Sequence, residues 1–259
     1  MNKQPWWLLL IALYLPMSHA EDAELARIFQ AAGANGTMVI ASLDGTRQFV
    51  HNDSRAKTRL PAASTFKILN SLMALDEGAI SGPEEVFVWD GHQYDIPDWN
   101  RSHTLASAYK ASCVWCYQVI ASRIAPKTYQ AHIQRAGYGQ LVEPFDQTRF
   151  WLDGSLKISA HEQIEFIRKL VNRSLPYKAA SYEAVRDIMI IEKTDTYTIR
   201  AKTGWATSST PQVGWYVGYV ETKSGTWLFA FNMDIADKSQ LPLRQQVTMK
   251  GLKAKAIIQ

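Results

Sequence analysis

Three short motifs carry residues that could do chemistry together: Ser64-x-x-Lys67, Ser112-x-Val114 and Lys202-Thr203-Gly204. In the first, a spacing of three on a helix puts a hydroxyl and an amine on one face. A serine is a weak nucleophile until a base sits beside it. A lysine can be that base only where burial strips its proton, because desolvation disfavours the charged form. Phe66, Ile68 and Leu69 flank Lys67 and suit such an apolar site. An N-cap serine followed by an exposed lysine accounts for the same residues, so the pair alone is a weak signal. Order and context strengthen it: the first motif opens a helix, the second lies in a helical block, and the third ends a strand.

Those elements follow from pattern. Asp22 to Ala32 reads as an amphipathic helix closed by Gly33, with Leu25, Ile28 and Phe29 on one face. Residues 37–43 and 47–51 read as strands joined at Asp44-Gly45, a hairpin signal. Ser64 to Glu77 is the helix that carries the first motif, and Pro61 ends the extended segment before it. A short strand at 86–91 and a polar, aromatic loop to His103 lead into helices over 105–111, 113–124 and 128–136. Ser159 and Glu162 form a capping box for a helix to about Asn172, and residues 181–191 read as another helix. Three strands follow, at 197–203, 213–221 and 226–234, and then a helix over 241–258. The expected fold is α/β of the α+β type. One antiparallel sheet is built from both chain ends, terminal helices cover it, and a helical subdomain is inserted at about 92–195.

Bulk properties narrow the function classes. Residues 1–20 have a lysine-bearing start, an apolar stretch from Trp6 to Leu15 and a Ser-x-Ala end, the pattern of a cleavable signal peptide. The stretch is shorter than the ~20 apolar residues that a membrane span needs. The expected product, residues 21–259, is one domain, periplasmic, and free of the membrane after cleavage. Its formal charge, with Lys3 removed, is 27 − 24 = +3, and no Lys/Arg block indicates a nucleic-acid partner. Nine Trp and eleven Tyr suit an aromatic-lined pocket or an ordinary core. Cys113 and Cys116 are the two cysteines, and the six histidines show no ligand spacing, so no metal is expected. Two buried, inert thiols one helical turn apart are the preferred reading, with a disulfide as the alternative.

Ser-x-x-Lys and Lys-Thr-Gly recur together in serine β-lactamases and penicillin-binding proteins. With Ser-x-Val between them, the chain resembles the class D serine β-lactamases, or oxacillinases. The resemblance extends to Phe150-Trp151-Leu152-Asp153-Gly154, Lys157-Ile158-Ser159-Ala160, Lys202-Thr203-Gly204-Trp205, Val213-Gly214-Trp215, residues 229–234 and Leu241-Pro242-Leu243-Arg244. It implies a fold like that of the serine β-lactamases and penicillin-binding proteins. The implied activity is hydrolysis of penicillins, oxacillin included, which confers resistance to them.

The resemblance also implies roles. Ser64 is the nucleophile. Lys67, carboxylated by carbon dioxide to N6-carboxylysine, is the general base for acylation and deacylation, with no other cofactor. Trp151 donates its indole N–H to that carbamate, Ser112 passes a proton to the departing nitrogen, and Lys202 supplies positive charge. Val114 and Leu152 roof the site. Thr203 and Arg244 hold the substrate carboxylate, while Gly204 and Trp205 line the site and Trp205 adds a backbone oxyanion donor. The implied partners are small β-lactams, to a monomer or homodimer.

Two departures stand out. The family's Tyr-Gly-Asn is Tyr138-Gly139-Gln140 here. The short loop Ala206 to Gln212 has the length of a carbapenem-hydrolysing branch, as does Trp99-Asn100-Arg101, yet it holds no basic residue to pair with Asp153. Carbapenem hydrolysis is therefore left open. The rival functions are a β-lactam sensor domain that stays acylated, a cell-wall transpeptidase or carboxypeptidase, and a thiol-redox protein using Cys113 and Cys116, although nothing around them looks like a thioredoxin unit.

Overall fold

The computed structural model describes residues 20–259; the expected signal peptide lies outside the described residues except for Ala20. Helix α1 (Ala23–Ala32) starts where Asp22 accepts from the N–H groups of Glu24 and Leu25, and ends at Gly33 with φ 59°. Strands β1 (Gly36–Ser42) and β2 (Gln48–His51) form the expected hairpin. Then come α2 (Asp53–Lys57), β3 (Leu60–Pro61), a 3-10 turn over Ala63–Phe66 and α3 (Lys67–Asp76). A small ribbon pairs β4 (Val86–Phe87) with β5 (His103–Thr104). Helices α4 (Leu105–Lys110), α5 (Val114–Ser122) and α6 (Pro126–Ala136) follow. Strands β6 (Gln140–Leu141) and β7 (Leu156–Ile158) pair with each other, and β7 also pairs with β3. Helices α7 (Ala160–Val171) and α8 (Ala179–Ile188) lead to β8 (Ile190–Lys193), β9 (Tyr197–Ala206), β10 (Gln212–Thr222), β11 (Gly225–Ile235) and α9 (Leu243–Ala254).

The main sheet is six-stranded, in the order β2-β1-β11-β10-β9-β8, and all its pairings are antiparallel. Strands from the two chain ends meet at β1 and β11, where Gly36 lies opposite Met233 and Ser42 opposite Trp227. Side chains alternate between the two faces along a strand. Met38 and Ile40 accordingly pack with Leu25 and Phe29 of α1 and with Val247 and Leu252 of α9. Val39 and Ala41 face the other way, into a larger core shared with α3, α5 and α7. That second core carries the helices that bear the first two motifs.

Several boundaries differ from the sequence reading; β9 runs on to Ala206, so the Lys202-Thr203-Gly204 motif lies inside the strand rather than at its end. The helix expected over 181–191 is α8, which stops at Ile188, and Ile190–Lys193 pairs instead with β9 as an edge strand. β-Branched Ile190 and Ile191 suit that edge, and pairing with β9 outweighs the helical continuation. Helix α6 starts at Pro126 rather than Thr128, since proline at the first turn loses no hydrogen bond. The last helix runs from Leu243 to Ala254, shorter than 241–258, and Ala256 turns out of it at φ 53°.

Candidate active site

The Ser64 turn is set by its backbone. Ala63 sits at φ 48°, and the chain passes from a 3-10 turn directly into α3, whose first residue is Lys67. Ser64 and Lys67 therefore lie one turn apart, and Lys67 Nζ is 2.9 Å from Ser64 Oγ. Lys67 has 0 % exposure. Its ammonium would face the Tyr117 ring at 5.0 Å. Burial, with the Lys202 charge added, holds the Lys67 amine well below the usual lysine range.

Trp151 is wholly buried, its ring 6.1 Å from that of Phe66. Its Nε1 hydrogen is buried and has no acceptor among the described residues. Such an orphan donor costs about 1–3 kcal/mol, and buried donors nearly always have a partner. A carboxylate group added to the Lys67 amine is an acceptor of the right kind for it, so the residues present fit a carbamate.

The second serine–lysine pair comes from distant segments. Ser112 joins α4 to α5 at φ 53°, and Lys202 lies on β9. Lys202 Nζ donates to Ser112 Oγ at 3.0 Å and to Thr203 O at 3.1 Å. Burial, and next the Arg244 charge, push the Lys202 pKa down to about 7. The first pair opens onto the cleft through Ser64, and the second through Ser112.

That cleft has a volume of about 630 Å³. Ser64, Ser112, Val114, Leu152, Thr203, Gly204, Trp205 and Arg244 all line it, with Lys67, Trp151 and Lys202 buried behind its surface. Gly204 has a steric reason to be glycine: a Cβ there would lie 3.1 Å from Thr65 Cγ2 and 3.2 Å from Trp215 Cβ. This closeness brings β9 alongside the Ser64 turn. A Cβ on Gly214 would lie 2.9 Å from Arg244 Cδ, so glycine leaves that arginine its place. The Arg244 guanidinium is held by Gly204 O at 2.8 Å and Leu241 O at 2.7 Å, and burial lowers its pKa to about 10. A cation held there by backbone carbonyls is suited to a carboxylate.

Sequence and structure comparisons show the family. Residues 24–253 match the penicillin binding protein transpeptidase domain. Beta-lactamase OXA-48 of Klebsiella pneumoniae is 40% identical over 225 residues, which is 87% of this chain and 85% of that protein. The class D β-lactamase YbXI from Nostoc is 39% identical, with a TM-score of 0.88 over 91% of this chain and 99% of that one. FUS-1 (OXA-85) of Fusobacterium nucleatum subsp. polymorphum is 34% identical, with a TM-score of 0.89 over 93% and 100%. The chain belongs to the class D β-lactamases.

Within this class D framework, the cysteine reading needs correcting. Cys113 and Cys116 are not free thiols but a disulfide, with Cα atoms 5.5 Å apart. The reason is local. Cys113 is the N-cap of α5 at ψ 113°, outside the regular helix that the sequence pattern extended over it. His103 lies close to both sulfurs, but sulfurs joined to each other offer no thiolate to a metal. Gln140 is absorbed at the surface, where its Oε1 accepts from Arg59 at 3.2 Å. Tyr138 meanwhile bonds Thr65 Oγ1 at 3.0 Å, next to Ser64, and Gln163 donates to the same oxygen at 2.9 Å. Asp153 Oδ1 accepts from Ser155 N at 2.8 Å, and Asp153 has no ion pair among the described residues. Sequence reasoning missed Tyr117, whose ring faces Lys67, and Tyr109, whose ring faces Lys202 at 5.5 Å. No motif marks either; only packing reveals them.

Proposed function

We propose that the protein hydrolyses the β-lactam ring of penicillins, oxacillin among them, through an ester on Ser64. The observation that carries this reading is the wholly buried Lys67 amine at 2.9 Å from Ser64 Oγ, with the unpartnered Trp151 N–H buried in the same core. A neutral amine reacts with carbon dioxide, and the carbamate so formed on Lys67 supplies a general base. Trp151 Nε1–H is its expected hydrogen-bond donor.

Ser64 gives up its proton and its oxygen bonds the ring carbonyl carbon. The backbone N–H groups of Ser64 and Trp205 face the developing oxyanion. The ring C–N bond breaks, and Ser112 hands its proton to the nitrogen and takes up the one that Ser64 released, while Lys202 stabilises the charge at Ser112. Water then attacks the ester carbonyl, the bond to Ser64 Oγ breaks, and a proton from the water returns to Ser64. Arg244 and Thr203 hold the substrate carboxylate, and Val114 and Leu152 control access of water from the roof.

Export to the periplasm, and protection of the cell from penicillins, follow from the same reading; no helix of the described residues is long and apolar enough to cross a membrane. The test is turnover of benzylpenicillin and oxacillin by the purified protein with and without added bicarbonate. Multiple turnovers stimulated by bicarbonate are expected. One equivalent of acylation with no further turnover would sink the hydrolase reading and favour a sensor or a slow cell-wall transpeptidase.

A further inference from the structure

The disulfide sits inside the Ser112-x-Val114 motif. Its two sulfurs bridge across Val114, a cleft-lining residue, and Cys113 directly follows Ser112. Ser112 holds φ 53°, which residues with a side chain adopt only where the surroundings over-determine it. Three restraints act there. Ser112 N–H donates to Tyr109 O at 3.1 Å, Cys113 N–H donates to Ala108 O at 2.9 Å, and Cys116 N–H donates to Cys113 Sγ at 3.2 Å. The same junction holds the cleft wall: Trp99 Nε1 donates to Ala111 O, and Trp115 Nε1 donates to Trp99 O, each at 3.0 Å.

A cross-link between residues three apart in sequence removes little entropy from the unfolded chain, because stabilisation of that kind grows with loop length. Global stability is therefore a poor account of this bond, and its effect must be local. Both cysteines have 0 % exposure. Two unbonded sulfurs cannot remain at bonding distance, and a fully packed site has no slack to part them. Opening the bond must move Cys113 or Cys116, and Cys113 carries Ser112 with it.

We infer that the Cys113–Cys116 disulfide is a positioning element of the reaction, holding Ser112 Oγ on Lys202 Nζ and Val114 in the cleft roof, and that opening it slows acylation. The inference rests on the hydrolase reading above. The opening step is a two-electron reduction by a dithiol. The S–S bond breaks, both cysteines take up hydrogen as thiols, and the dithiol becomes a disulfide. The protein is then most active in an oxidising compartment and slow in a reducing one.

The test compares the isolated wild type, the same protein reduced with dithiothreitol, and a Cys113→Ala/Cys116→Ala variant. Free thiols are counted by alkylation and mass spectrometry. The rates of benzylpenicillin acylation and of ester hydrolysis are measured separately, per acylatable site. The expected result is acylation slower by about tenfold to a hundredfold, the scale of a displacement of about 1 Å in a catalytic group, with the alkaline limb of the acylation pH profile displaced and ester hydrolysis unchanged. Acylation at the wild-type rate with only a lower melting temperature would overturn the inference, as would two free thiols in the oxidised wild type. If the double variant folds poorly, or the buried bond resists the dithiol, a Cys116→Ser variant, which opens the bond and leaves Ser112 and Cys113 unaltered, gives the same reading. A protein that is acylated but never turns over would defeat the hydrolase reading instead, while its acylation rate would still test the disulfide.

Discussion

The active site holds two serine–lysine pairs of nearly equal geometry and unequal chemistry. Lys67 lies 2.9 Å from Ser64 Oγ, and Lys202 lies 3.0 Å from Ser112 Oγ. Both lysines are buried, yet burial leaves Lys67 well below the ordinary lysine range and Lys202 at about 7. Their surroundings differ. A tyrosine ring faces each nitrogen, but Lys67 is wholly buried at the start of α3, whose side chains share the larger core with Trp151 and its orphan N–H. Lys202 also donates to a backbone carbonyl, Thr203 O, which favours its charged form. The same residue pair thus serves twice. One lysine amine is held well below the usual lysine range by burial, and the other is poised near neutrality where it can carry a proton.

Lys67→Ala should break the asymmetry most severely. Turnover of benzylpenicillin should fall on the order of 10²–10⁴-fold, the range of a lost general base, and bicarbonate should not restore it. A ¹³C signal from labelled bicarbonate on the wild type, absent in the variant, checks the same point. Unaltered turnover would mean that Lys202 or water serves as the base.

Trp151→Phe should have the next largest effect. It keeps an aromatic ring in the core and removes the buried donor. Activity at ambient bicarbonate should fall about 10- to 100-fold, in line with a charge-assisted hydrogen bond, and raised bicarbonate should recover part of it. Equal losses at all bicarbonate concentrations would assign Trp151 to packing alone.

A smaller effect separates the pairs by pH. Protonation of the Lys67 amine opposes the carbamate, so activity should fall on the acid side and bicarbonate should relieve that fall. Lys202 has a depressed pKa, so its cation is present below about 7 and lost as pH rises through that value. The alkaline limb of kcat/KM in the free protein should therefore belong to Lys202 and be insensitive to bicarbonate. In Lys202→Ala, a pH–rate profile that keeps the same alkaline limb would refute the assignment. Stability carries the opposite sign. The unfolded chain binds this proton more readily, so the Lys202 contribution becomes more unfavourable as pH falls from the ordinary lysine range towards 7.

Much of the fold was legible in local pattern. Asp22 and Gly33 bound α1, Ser159 and Glu162 close their capping box, and the strands from both chain ends join one sheet as expected. The errors fall where local preference competes with long-range pairing. Ile190 and Ile191 leave their helix because β9 offers an edge, and Cys113 leaves the helical pattern to cap α5.

The site divides along the same line. Sequence by itself put Ser64 and Lys67 on one face, because residues three apart at a helix start share a face whatever surrounds them. It also supplied the glycines at 204 and 214 that let β9 and Arg244 approach. Only the tertiary structure decided that Lys202 reaches Ser112 across 90 residues, that Trp151 buries a donor without a partner, and that the two sulfurs join. Contacts within one turn are set by local backbone geometry, whereas burial and long-range pairing exist only once the sheet and the helical block have packed.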